Sequence, residues 1–568
     1  LLNIFSTTRA SVVRAGRVSA FRAACVSAVR PARAAVLCAV LLALFAANAS
    51  PNAFAGDEHV LRFSEGLDVT TLDPLLATVA SVTDLGQLTM AHFVRFDSAN
   101  RMVPELIIAI PTLANGGVSG DGKTITYHLR RGVRWSDGAP FDASDVVFTV
   151  ETILNPKNNI SERDSWDHLT GADAPDPYTV RFHLRGPYGG FASRFFASDT
   201  PSCVLPKHLL GTLATINQTP YNALPVGIGP FRYTAFRRGD AVEMEANPYY
   251  FRGRPKLQKI VYKLITEENT LLAQLQTGEL DLWGTVGGTF YERVRALSAI
   301  DVTIKPSNFM AGVYFNTVRP ALGDPNVRRA LLLATDRAFI LDKINHGAGV
   351  LTESVVPQVS QDYAALPLTR YDPAAAARLL DASGWKVGPD GVRAKGSTRL
   401  AIQIALPIGY VPSQLTAEIL RATWQKLGIA VETKAYADAQ YFAPFSEGGL
   451  LQSGNFDGAI LSEQGNYDAD VTSRFGCAYV PPHGFNFDRF CDPRLDESAQ
   501  AYGRSFDPRE RARLAADFQR TLERETPALI LYERGFIYAF SHRITGFHPG
   551  SFTAFDDFMN VDVTPSPH

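Results

Sequence analysis

Cysteine is scarce in this chain. There are five in 568 residues, and only Cys203, Cys477 and Cys491 lie beyond residue 55. That is too few for a disulfide-built scaffold. No apolar run reaches 18 residues, so no segment reads as a membrane-spanning helix. H-E-x-x-H and G-x-S-x-G are both missing, and the eleven histidines show no ligand spacing. Neither a zinc hydrolase nor a nucleophile elbow is signalled, and no metal or cofactor is implied. No repeat of 20–50 residues and no low-complexity tract breaks the chain, which excludes solenoids and tails.

The first 55 residues have neither lysine nor acid, but hold six arginines. Their apolar run, Ala34–Ala47, is 14 residues long. That is too short to cross a bilayer and right for the core of an export signal. Ala53-Phe54-Ala55 then supplies a cleavage site, so the expectation is a periplasmic protein whose mature chain starts at Gly56. A lipid anchor on Cys38 is disfavoured by Leu37 before it and by the apolar run that continues past it. No methionine precedes Met90, which leaves the translation start open. Without the six leader arginines, 49 basic side chains face 57 acidic ones, a net charge of −8. Nucleic acid and anionic membrane surfaces are poor partners for such a chain.

What is present is an ordinary globular balance, 46% hydrophobic and 20% charged, long enough for about three domains. Residues 121–150 are the most informative stretch. Thr124 to Leu129 alternates, with Ile125, Tyr127 and Leu129 on one face, which predicts a strand. Asp121-Gly122 and Asp137-Gly138 are turn dipeptides, and Asp142 or Ser144 can cap a helix through Val146, Val147 and Val150. Gly117 to Thr124 satisfies the phosphate-loop expression G-x-x-x-x-G-K-T. A phosphate loop follows a buried strand and opens a helix, whereas here a strand follows; a glycine-rich hairpin is the reading. Asp324-Pro325 and Asp372-Pro373 start further helices, the second ended by Gly384. Thr416–Leu427 places Ile419, Leu420, Thr423, Trp424 and Leu427 on one stripe, between strands at Leu400–Leu406 and Ile429–Thr433. That βαβ unit predicts an α/β fold with parallel strands.

As a string, residues 121–150 resemble the "G-x-T-x-x-F-x-L-R-x-G-V-x-F/W-x-D-G-x-P-x-x-A-x-D-V" block of family 5 extracellular solute-binding proteins, the peptide-type receptors of bacterial ABC importers. Further landmarks follow in the family's order: Leu72-Asp73-Pro74, Gly227-Ile228-Gly229-Pro230-Phe231, Asn247-Pro248-Tyr249-Tyr250, Tyr314-Phe315-Asn316 with Val327-Arg328-Arg329-Ala330-Leu331, and Tyr371-Asp372-Pro373 with Gly384-Trp385.

The resemblance implies a type II periplasmic-binding-protein fold, two lobes joined by a hinge, with an additional inserted domain. Lobe I would comprise 56–94, 204–308 and 531–568, the inserted domain II 95–203, and lobe III 309–530. It also implies a non-enzymatic, monomeric receptor that captures a peptide or peptide-like solute between closing lobes and delivers it to an inner-membrane permease. The alternatives are an exported hydrolase and a periplasmic sensor or chaperone on the same fold. Relatives hold a ligand's α-ammonium with an Asp in a "W-x-A/G-D-Y-x-D-P-D" loop. By this resemblance Asn466 falls at that Asp and Glu463 at the Trp, Tyr467 keeps its place, and Asp468 and Asp470 match the later acids. Asn466 offers no charge, so Glu463 or Asp468 would have to supply it. Thr78, Val79 and Ala80 occupy the segment that pairs with ligand backbone in relatives. Tyr314 and Asn316 fall at the lobe boundary, and Tyr410 follows the Leu400 strand. Many relatives carry a cysteine pair spaced like Cys477 and Cys491, whose loop holds Pro481-Pro482 and Gly484. Bridged, it would stabilise by about 3 kcal/mol through the chain entropy of the loop; otherwise both are free thiols. Cys203 reads as a buried small hydrophobe.

Overall fold

The computed structural model describes residues 58–565, except 78 and 164. The expected leader with its Ala53-Phe54-Ala55 site lies outside the described residues, as does Thr78. One 11-stranded mixed sheet runs through the molecule. Its axis is a pair of long antiparallel strands, Ile300–Phe315 and Ala528–Ser541. On one side lie Val60–Ser64, Lys259–Lys263, Ala241–Ala246 and Phe231–Arg237. On the other lie Gly458–Gln464, Ala401–Pro407 and Ala430–Tyr436. Separate cores sit on the two sides. One joins Phe63, Leu85, Phe231 and Tyr262; another joins Val313, Leu331, Ile404, Leu420 and Trp424. The protein is therefore a two-lobed α/β molecule whose lobes share one ribbon.

The ribbon runs from Ile300↔Ser541 to Pro306↔Gly535 and again from Met310↔Glu533 to Tyr314↔Ala528, with a register shift between Pro306 and Met310 and a second, smaller one between Ala311 and Gly312.

Local elements follow their sequence signals. Thr124–His128 is a strand with Ile125 and Tyr127 buried, paired with Thr179–Leu184 in a separate three-stranded sheet. Asp142 caps the helix Ala143–Leu154 in a reciprocal box with Asp145. The Gly117–Thr124 run is a hairpin turn: Gly122 N–H donates to Ser119 O, Ser119 N–H donates to Thr124 O, and a strand follows. Ala401–Pro407 and Ala430–Tyr436 pair in parallel around the helix Val411–Gln425, whose buried stripe is Thr416, Ala417, Leu420 and Trp424. Asp324 and Asp372 cap the helices Pro325–Leu333 and Pro373–Ala382.

Candidate functional site

A cavity of about 540 Å³ opens where the two lobes meet. Its floor is the break in the ribbon, Asn308 and Phe309. Asn308 is held in place on both sides: its O accepts from Gly465 N–H at 2.7 Å, and its Nδ2 donates to Gly465 O at 2.8 Å. Gly465 has no substitute there, because a Cβ would stand 2.4 Å from Pro357 Cγ. The end of the Gly458–Gln464 strand and the Gly465-Asn466 turn form the wall on that side.

The opposite wall is built by two adjacent features. Glu65 follows the last residue of the Val60–Ser64 strand, and its backbone carbonyl accepts from Thr285 Oγ1 at 2.7 Å. The helix Ala80–Thr89 turns Ala80, Thr83, Asp84 and Gln87 toward the cavity at helical spacing, while Val82, Leu85 and Leu88 enter the core. Gln87 locks this face, donating to Asp84 Oδ1 at 2.9 Å and accepting from Phe555 N–H at 2.9 Å. Burial lifts both the Glu65 and the Asp84 carboxyls above their ordinary range, and for Glu65 the Asp84 charge adds to it.

Arg194 enters from the element beside the three-stranded sheet. It donates to Asn466 Oδ1 at 2.8 Å, to Glu162 Oε1 at 3.1 Å and to Ser165 Oγ at 2.8 Å. Nearby Asp199 is pushed up to about 7 by burial, opposed by Arg194.

Behind the 463–471 loop lies a smaller chamber of about 50 Å³. Arg474 pairs there with Glu463, and its guanidinium lies 5.4 Å from the Tyr314 ring centre and 5.5 Å from that of Phe487. Asp468 is 5% exposed; its Oδ2 accepts from Ser193 Oγ at 3.4 Å, and burial, then Asp470, raises its pKa.

The residues singled out from sequence fall in different places. Val79, Ala80 and Asn466 line the cavity. Glu463, Asp468 and Tyr314 line the smaller chamber instead, with Asn466 at both. The charge of Glu463 is met by Arg474, so it does not replace the missing acid at Asn466. Tyr467 packs between Phe96 and Phe552, at 4.9 and 5.5 Å. Asn316 needs correcting. It is buried, and its Nδ2 donates to Gly454 O and Phe456 O. The strand crosses the cleft near Phe309, and at about 3.3 Å per residue Asn316 is roughly 20 Å further on. Tyr410 is also displaced: it precedes the helix Val411–Gln425, is 42% exposed and lies outside the cavity lining. Cys477 and Cys491 are joined in a disulfide, and Cys203 is free and buried.

Sequence reasoning missed Glu65, Asp84, Arg194 and Asn308. Two of these carried a signal. An acid just past a strand's carboxyl end sits where α/β proteins place ligands, and Asp84 is four residues beyond Ala80 on one helix face. Arg194 carried none.

Among the described residues, no group of three or more His, Cys, Asp or Glu is placed to hold a metal, and no helix is long and apolar enough to cross a membrane. The description of bacterial extracellular solute-binding proteins, family 5 (middle), matches residues 109–485. Protein XP55 of Streptomyces lividans is 29% identical over 460 residues, 79% of each chain. The glutathione-binding protein GsiB of Salmonella paratyphi A is 28% identical over 451 residues, 78% of this chain and 84% of that one. Among solved structures, the ABC transporter substrate-binding protein CtaP of Listeria monocytogenes superposes with a TM-score of 0.77 at 22% identity, over 90% of this chain and 100% of that one. The oligopeptide-binding protein AppA of Bacillus subtilis, solved with a nonapeptide, gives 0.71 at 21%, over 89% and 99%. The shared fold is the type II binding-protein architecture, and a match over more than half of the sequence places this chain in family 5 of the bacterial extracellular solute-binding proteins.

Proposed function

We propose that this protein captures a peptide or peptide-like solute in the cavity between its lobes, without changing it chemically, and hands it to an inner-membrane ABC permease. As a family member it is a solute-binding receptor. The observation that carries the peptide reading is the cavity itself. At about 540 Å³ it has the size of a small-ligand site, both lobes wall it, and a hinge ribbon floors it. The relatives named for glutathione and oligopeptide binding point to the same ligand class.

In this reading Val79, Ala80 and Asn466 contact ligand, and lobe III (309–530) closes on lobe I (56–94, 204–308 and 531–568), with 95–203 as an insertion. The protein acts as a periplasmic monomer after cleavage at Ala55, which N-terminal sequencing of secreted material would test.

All five tryptophans are buried, at 2% exposure or less, so their fluorescence is a poor direct reporter of ligand. Mass spectrometry of solute released from purified protein, with calorimetry on di- to pentapeptides, is the better test. A bound, unaltered peptide is expected. Peptide hydrolysis would support the hydrolase alternative instead, and a bound solute of another class would leave the receptor and remove the peptide.

A further inference from the structure

The cavity lining is unbalanced in charge. It contains four carboxyls, Glu65, Asp84, Glu162 and Asp199, and one guanidinium, Arg194. Arg194 is committed to Glu162 and Asn466 and lies close enough to Asp199 to oppose its rise in pKa. Glu65 and Asp84 are different. Neither makes an ion pair among the described residues; Asp84 accepts from the Gln87 amide and the two carboxyls share a hydrogen bond with each other. Glu65 is 5% exposed, lines the cavity, and its Oε2 meets no hydrogen-bond partner among the described residues. The neighbouring Ser81 hydroxyl is likewise buried without a partner. A buried acceptor left open in this way is costly unless something pairs with it.

The remaining groups facing the pair fit a cation on an alkyl stem. Tyr262 and Tyr538 are the other titratable side chains against it, and both are neutral phenols at physiological pH. Tyr538, Phe309 and Phe536 line the same cavity, with the two phenylalanine rings 5.8 Å apart and edge to face. Aromatic faces accept both methylene stems and cationic heads.

We propose that Glu65 and Asp84 form a subsite for a cationic group of the ligand, so that this receptor selects peptides carrying a lysine or arginine side chain. The proposal rests on the receptor reading above and adds a ligand class to it. It places the specificity charge on lobe I, opposite the loop at Asn466.

Calorimetry with three probes tests it: Ala-Lys-Ala, Ala-norleucine-Ala, which keeps the four-carbon stem and lacks the ammonium, and agmatine as a cation that is not a peptide. Wild type should bind the lysine peptide about tenfold or more tightly than the norleucine peptide, as expected for a charge-assisted contact. Glu65→Gln and Asp84→Asn should each reduce that ratio, and the double variant should abolish it. Thermal melts should show the variants folded, since each amide replaces a carboxyl that lacks an ion pair. Equal affinity for the two peptides in wild type, or a preference that survives in the double variant, overturns the subsite and leaves the peptide reading intact. If agmatine binds through Glu65 and Asp84 while neither peptide binds, the subsite stands and the peptide reading falls. Indifference to all three probes overturns the subsite as well.

Discussion

At the scale of single residues, Arg474 and Asn466 divide the roles that one charged loop would otherwise combine. Arg474 is enclosed by Tyr314, Phe475 and Phe487 and neutralises Glu463. Asp488 lies nearby with both carboxyl oxygens unpartnered among the described residues, its pKa pushed up to about 8 by burial and opposed by Arg474. Arg474→Met removes the cation and leaves those acids behind. It should cost roughly 3 kcal/mol, read as a lower denaturation midpoint, and Glu463→Gln in the same chain should recover part of the loss. Asn466, by contrast, presents a neutral amide that already accepts from Arg194. Calorimetry should therefore show free and N-acetylated forms of one peptide binding within about threefold of each other, since no charge-assisted bond is lost on acetylation. A strong preference for the free amine would refute this reading of the loop. The family pattern made this position legible in the sequence. The partners that decide its chemistry were not, because Arg194 and Asn466 are 272 residues apart and no local signal links them.

Elements were most legible where a turn or cap residue marks a boundary. Among the described residues Asp-Pro starts four α-helices, at Asp324, Asp372, Asp492 and Asp507, by capping them, and the first two were read from sequence for that reason. The helix after Tyr410 begins five residues before the stripe at Thr416, because its first turn buries only the polar Ser413 and adds nothing to the apolar pattern. The Cys477–Cys491 bridge closes a loop of sequence separation 14, shortly after the cavity wall at Gly465-Asn466. Replacing both cysteines with serine should lower stability by about 3 kcal/mol, seen as a shift in urea midpoint. Reductant should reproduce that shift in wild type and have no effect on the variant. Equal midpoints with and without reductant in wild type would show that the loop is ordered without its bridge.

At the scale of the whole molecule, the pairing of Ile300–Phe315 with Ala528–Ser541 could not be read from periodicity. Both strands carry long buried runs at their inner ends, and more than 200 residues separate them in sequence. The family's motif order supplied the two-lobed plan in its place. A property that no local reading reaches is the collective titration of buried carboxyls. Asp73, Asp199, Asp556 and Glu533 sit at about 7 through burial, and Asp488 at about 8. Their folded pKa values exceed the unfolded ones, so the folded state binds more protons between them. That contribution to stability is complete below about pH 4 and is lost as pH rises through 7 to 8. Carboxyls held below their ordinary values, such as Glu243 and Asp324, do not titrate in this window. The melting temperature should thus be higher near pH 5.5 than near pH 8.5, and Asp488→Asn should shrink the difference. A melting temperature that rises with pH across this range would contradict the assignment.

The ribbon that joins the lobes carries a mechanical consequence. Its ladder breaks at Ser307–Phe309 and resumes on both sides, so the lobes are joined by paired strands and not by slack tethers. Were the cavity to close by bending this pair, the ladder on either side of the break would resist the twist. A ligand that bridges the walls would hold the joint bent against this restoring torque, and its removal would let the joint recoil unaided. The receptor would then need no separate energy source to reset, and loosening the joint should lengthen the closed dwell time. Asn308→Gly, which removes the Nδ2 bond to Gly465 O, is the substitution to follow by single-molecule distance measurements across the cleft.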